Sequence, residues 1–188
     1  MNTEQTVSSG AHGLKWGLLI GAVYAVFVVL RHSIGASNPL YYSLFMFLGY
    51  AIVLILLFFC GRQLRQNNGG YIEMKEVFKS MFIAVLVLEF LFTITYFVYL
   101  KYINPGFFDS FRTSSESLLI MAKRPQKEID QLMETMNASK AQLLHASPFD
   151  FLKNYLYYVG VTGLFALIFS FILKRNPPVY NQDNYLQS

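Results

Sequence analysis

The sequence predicts an all-α integral membrane protein: a bundle of four spanning helices with a two-helix extramembrane excursion between the third and fourth. Three observations lead there. Of the 188 residues, 54% are hydrophobic and only 14% are charged, whereas soluble domains carry about 25% charged residues. Four apolar runs, at about 13–30, 40–60, 80–100 and 151–173, are each long enough to cross the ~30 Å hydrocarbon core at ~1.5 Å per residue. Between the third and fourth run, residues 106–147 lack a long apolar stretch but keep helical periodicity.

The first run places Gly13, Gly17, Gly21 and Ala25 four residues apart. That spacing puts them on one face, a helix-packing seam where two backbones can approach closely, within the chain or between two copies. The run is read as a retained helix and not a signal peptide, because residues 1–12 carry no Lys or Arg and the apolar part is longer than a signal core. A connection is expected over 31–39, with turn chemistry at Ser37-Asn38 and Pro39 opening the second helix. Gly61, Arg62 and Arg65 mark that helix's end, and Asn67-Asn68-Gly69-Gly70 is a strong turn signal.

The third run, closed by Lys101 and Pro105, is followed by two apolar stripes at helical spacing. Phe107, Phe108, Phe111, Ser115, Leu118, Leu119 and Ala122 form the first. Ile129, Leu132, Met133, Met136, Leu143 and Leu144 form the second, after a break at Arg124-Pro125. Two helices are therefore expected, folded on each other, on the interface or on a partner. Ser147-Pro148-Phe149-Asp150 starts the fourth span, with Gly160 and Gly163 as close-approach points. Residues 1–175 are expected to form a single membrane domain, and residues 176–188 a polar tail without a core.

Basic residues gather at run ends, as membrane anchors do, and not in a nucleic-acid patch. The short second connection carries four of them against one in the first, which favours both termini in the cytoplasm. Eight tyrosines, Tyr41, Tyr42, Tyr96, Tyr99, Tyr102, Tyr155, Tyr157 and Tyr158, fall at one side like an interfacial belt. A single cysteine, Cys60, excludes an intrachain disulfide, and His12, His32 and His145 show no zinc spacing.

Glu89 is the oddly placed group. A carboxylate at mid-bilayer costs about 2.5–3.5 kcal/mol on insertion scales, so it should face the bundle. No Lys, Arg or His is expected at its depth in the other spans. Hydroxyls are the candidate partners: Tyr24, Tyr50 and Thr162 on the other spans, with Thr93 and Tyr96 continuing a polar stripe on its own helix. Glu89 is then either a hydrogen-bonded packing residue or a proton or ligand site. No catalytic pair, metal motif, phosphate loop or cofactor motif accompanies it, so an enzyme is not expected.

Several short motifs carry a family resemblance. They are Gly69-Gly70-Tyr71-Ile72, then Lys75-Glu76-Val77-Phe78-Lys79, then Ile103-Asn104-Pro105. The helical segment 128–137 and a Pro-initiated last span ending in Lys174-Arg175-Asn176-Pro177 complete the set. On these the chain resembles a bacterial inner-membrane family known as domain of unknown function 4199. The resemblance implies a multi-pass inner-membrane location and carries over no functional residues. The function expected is that of a non-enzymatic partner, accessory or assembly protein, working through a membrane-protein partner or as a homo-oligomer. The alternative is a proton-linked small-solute carrier or channel centred on Glu89. The lipid bilayer is the expected surrounding, and nucleic acid is not an expected partner.

Overall fold

A computed structural model describes residues 8–176. Six helices follow in order: α1 (Ser9–Gly35), α2 (Pro39–Asn67), α3 (Met74–Val98), α4 (Phe107–Met121), α5 (Gln126–Leu144) and α6 (Pro148–Leu173). Among the described residues there is no strand, only an isolated bridge between Ile72 and Arg175. Four helical segments are long and apolar enough to cross a membrane: α1, α2, α6, and α3 continued through Ile103. The expected polar tail lies outside the described residues apart from Asn176.

The helix starts follow local chemistry. The Asn38 side chain accepts from the Leu40 and Tyr41 amides, with Pro39 at the first helical position. Ser147 and Asp150 form a reciprocal capping box, with Pro148 between them. Gly69 and Gly70 turn the chain at φ of 70° and 86°, a conformation that costs glycine nothing. At its far end α3 passes into one π-turn, Tyr99–Ile103, which swings the Tyr99 hydroxyl to 2.6 Å from Ser33 Oγ.

The helices are longer than the apolar runs, and one difference matters for function. The first connection shrinks to 36–38, because α1 continues to Gly35. There Tyr42 packs so closely that a Cβ on Gly35 would sit 2.6 Å from Tyr42 Cβ. Arg31 and His32, expected in a connection, are therefore buried helical residues.

α1 and α3 run parallel, offset by 67 residues, as in the Ser9–Glu76 pair. Gly13 faces Ser80, Gly17 faces Ala84 and Gly21 faces Leu88. A Cβ on Gly13 would run into the Ser80 carbonyl oxygen. The glycine face is thus covered by α3 of the same chain, while Ala25, half-buried, borders a shallow apolar hollow with Thr95. Gly163 approaches Phe82, but nothing lies within 4 Å of a Cβ on Gly160, which is not a close-approach point. The core runs along the inner faces of the four spans, through Ile20 and Val28, Val53, Leu57 and Leu64, Val77, Met81, Val85 and Leu88, and Ala166 and Leu173.

The excursion is helical, α4 then α5, reversing at Lys123, whose φ is 53°. From the α4 stripe Phe107 and Ser115 are buried, while Ala122 is exposed beyond the helix end. α4 lies across the end of the bundle: Phe107 packs on His32 and Tyr42, Phe111 on Tyr42, and Ser114 donates to the Ala36 carbonyl. α5 buries only Ile129, with Leu132 and Leu144 exposed. It is tied to α4 by Lys140, which donates to both Asp109 carboxylate oxygens at 2.7 and 2.8 Å.

Candidate functional site

The inward face of α3 carries Glu89, 2% exposed, near the middle of the bundle. Thr162 on α6 donates to Glu89 Oε1 at 2.6 Å. Glu89 also borders a cavity of about 540 Å³ between α1, α2, α3 and α6. Tyr24, Tyr50, Tyr96 and Thr162 line the same cavity. The Tyr50 hydroxyl sits beside Thr162 but outside hydrogen-bond geometry, and it is buried without a partner. Thr93 is turned elsewhere: its hydroxyl is buried and unpartnered, at a smaller cavity of about 190 Å³ beneath α5. Phe92, Tyr96 and Tyr158 border both spaces. Of the six sequence-predicted polar residues, five thus share the large cavity and Thr93 lies just beyond its wall.

The eight tyrosines are not one belt. Tyr41 and Tyr102 are exposed, and Tyr157 and Tyr158 are exposed while also lining the cavity. Tyr42 and Tyr96 line the cavity, Tyr99 is buried beneath α4, and Tyr155 donates to the Leu86 carbonyl.

The residue that sequence reasoning misplaced is Arg31. It lines the cavity that contains Glu89 and is only 6% exposed. Expected in a connection, Arg31 instead lies one turn short of the end of α1 and points back into the bundle. Its guanidinium carbon lies 5.6 Å from the Tyr42 ring centroid and 5.7 Å from that of Phe92. The ion pairs among the described residues are Arg124–Glu128 and Lys140–Asp109, and neither involves Arg31. Its Nε approaches His32 Nδ1 at 3.4 Å. That ring nitrogen is already committed, donating to the Val28 carbonyl at 2.6 Å, so it cannot also accept from arginine. Cation–π contacts contribute about 0.5–2 kcal/mol, against a desolvation penalty of several kcal/mol for a buried ion. Among the described residues, Arg31 is therefore a cation still short of an anion.

A second polar cluster lies at the opposite end of α1. His12 Nδ1 is 3.0 Å from Ser80 Oγ, and Cys60 Sγ lies 3.9 Å from both. Gln63 accepts from Trp16 Nε1 at 2.7 Å and faces His12 Nε2 at 3.3 Å. A serine beside a histidine has the form of a nucleophile with its base, but Ser80 is fully buried in the seam where α1 and α3 touch. The group satisfies polar atoms between three helices. The pairing was hidden in the sequence because it needs the parallel α1–α3 register. Among the described residues no three His, Cys, Asp or Glu side chains converge as a metal site would require.

Residues 15–175 match the family model described as a protein of unknown function, DUF4199. The chain belongs to that family. No curated protein and no solved structure matches the chain. The family match covers most of α1, the other three spans and the excursion, so the cavity lies inside the shared domain and is not built from an appended segment.

Proposed function

We propose that this DUF4199 protein is a non-enzymatic, multi-pass membrane protein that binds a small ligand in the cavity between α1, α2, α3 and α6. One observation carries the reading: Glu89 and Arg31, both buried, line one and the same cavity. Pockets of about 300–1,000 Å³ with a few convergent polar groups are typical of small-molecule sites. In this reading Glu89 is the deep polar contact, and a proton-linked carrier or channel is the form of activity that uses it. The bacterial inner membrane is the proposed location, with both ends of the described chain cytoplasmic. Support for that sidedness comes from Arg62, Arg65, Lys75, Lys79, Lys174 and Arg175, which cluster where Ile72 pairs with Arg175.

The test is a thermal-shift screen of small acids, amines and amphiphiles on the purified protein, with Val161→Trp as a filled-cavity control. Val161 lines the cavity on α6. Ligands that stabilise the wild type but neither Val161→Trp nor Glu89→Gln support the reading. Ligands that act equally on all three proteins sink it.

A second reading, an accessory or assembly protein with a membrane-protein partner or a second copy, is favoured by the exposed apolar residues of the excursion. Ile120, Met121, Leu132 and Leu144 lie open on α4 and α5. Isolation in mild detergent separates the two readings: a stoichiometric partner that dissociates on Met121→Glu supports the accessory role.

A further inference from the structure

Resting on the cavity reading, we propose that the ligand is an acidic amphiphile whose carboxylate or phosphate head pairs with Arg31 and whose chain leaves sideways between α2 and α6. The inference begins with where Arg31 cannot go. An arginine near a helix end normally extends its head to the membrane surface. Here α4 closes that route: Phe107 and Phe111 pack on Tyr42 over the end of α1, and Ser114 binds the Ala36 carbonyl. The guanidinium turns inward and is held by the Tyr42 and Phe92 rings. It makes no ion pair among the described residues. Glu89 is bound to Thr162 one helical turn before Phe92 and does not neutralise it. A fork of donors without a carboxylate, at the wall of a cavity, is a site for a planar or tetrahedral oxyanion.

The shape of the cavity supplies the rest. α2 and α6 are joined by Tyr50 against Phe165, by Phe58 against Phe169 and by Gly61 beneath Leu173. Toward Arg31 that packing stops and the cavity takes its place, bordered by Met46 and Phe47 on α2 and by Tyr157 and Val161 on α6. Phe47 is 70% and Tyr157 67% exposed, so the two rings flank a lateral mouth that faces the lipid side. Arg31 lies in the last turns of α1, just beyond the expected apolar run, the level at which lipid headgroups sit. An anion entering from the side meets the guanidinium where it reaches inward from that level to the Phe92 ring.

The probes are oleate, oleoyl lysophosphatidate, neutral monoolein of the same chain length, and inorganic phosphate. Each is titrated onto the full chain in phosphatidylcholine nanodiscs and read by thermal shift and native mass spectrometry. Oleate or oleoyl lysophosphatidate should bind the wild type, and whichever is tighter names the head. Arg31→Met, similar in length and uncharged, should weaken that binding by about thirtyfold or more, and Arg31→Lys should restore part of it. Ligand-free Arg31→Met should melt no lower than the wild type, because it removes an unpaired buried cation. A lower melting point with unchanged binding would make Arg31 a packing residue and overturn the inference. Monoolein binding as tightly as oleate, in wild type and Arg31→Met alike, would overturn the anion anchor and leave the cavity reading standing. Inorganic phosphate alone matching the lysolipid would overturn the amphiphile. If no probe binds and Val161→Trp also behaves as wild type in the screen above, both readings fall.

Discussion

The bundle has two unlike ends. Where α1 and α3 begin, glycines and Ser80 bring backbones within van der Waals contact, and Gly61 lets Leu173 and Met81 close over α2. At the other end the corresponding positions hold Tyr42, Tyr96, Tyr158 and Phe92, and the helices enclose about 540 Å³. Lipid tails are as apolar as leucine, so helices in a bilayer associate through close contact and polar pairing, with little hydrophobic drive. The glycine end uses the first means. The ring end gives up contact area for a space edged by hydroxyls, a carboxyl and a guanidinium. Close backbone packing and the polar cavity thereby fall in different halves of the same four helices.

The sharpest way to break this contrast is at the seam. A Cβ at Gly17 would stand 2.7 Å from Val87 Cβ and 2.9 Å from the Ala84 carbonyl oxygen. Gly17→Leu should therefore force α1 off α3 and cost about 3 kcal/mol or more, read as a shift in reversible unfolding in mixed detergent micelles. The equivalent change at Gly160, where a side chain meets open space, should be nearly silent. Equal effects at the two glycines would dissolve the distinction between the ends.

A smaller effect is expected where the two halves meet. Thr162→Val removes the donor to Glu89 Oε1 while keeping the shape of the side chain. Leaving a buried acceptor without its donor costs about 1–3 kcal/mol, and Thr162→Ser should recover most of it. If Val and Ser are equally tolerated in the same unfolding assay, the contact is not holding Glu89 in place.

These two sites also show how much was legible beforehand. Glu89 could be singled out because a carboxylate in hydrocarbon has to face protein, whatever the fold. Its partner could only be narrowed to hydroxyls at similar depth, since the rotation of α6 is fixed by packing that no local pattern encodes. The four spans and the two excursion helices were readable from length and periodicity, and the excursion's turn from Arg124-Pro125. Arg31 was not readable. An arginine after an apolar run has the same local signature whether it reaches the surface or folds inward. The outcome here depends on α4, some 80 residues later, lying over the helix end. The π-turn at Tyr99–Ile103 was hidden for a similar reason: its ring is drawn to Ser33 on another helix.

The smallest expected effect concerns α4 and α5, which close the ring end from outside. Lys140 donates to both oxygens of Asp109, and that hydrogen bond holds the Asp109 carboxyl below the usual carboxylate range. A carboxyl whose folded value is depressed contributes stability that is fully present above its unfolded value, near 3.9. The contribution is lost as pH falls through the lower, folded value. Amide protection of α5 should therefore be flat from neutral pH down to about 5, and then fall as Asp109 takes up a proton. Both groups are open to water, so the change should be modest and should shrink further in high salt. Lys140→Met should remove the Asp109 part of the acid dependence and slightly speed exchange in α5 at neutral pH, with the α1–α3 seam unchanged. Hydrogen–deuterium exchange followed by mass spectrometry resolves the two regions in one experiment. If Lys140→Met also loosens the seam, the ends of the bundle are coupled, and closure over the cavity would reach the packing of the whole molecule.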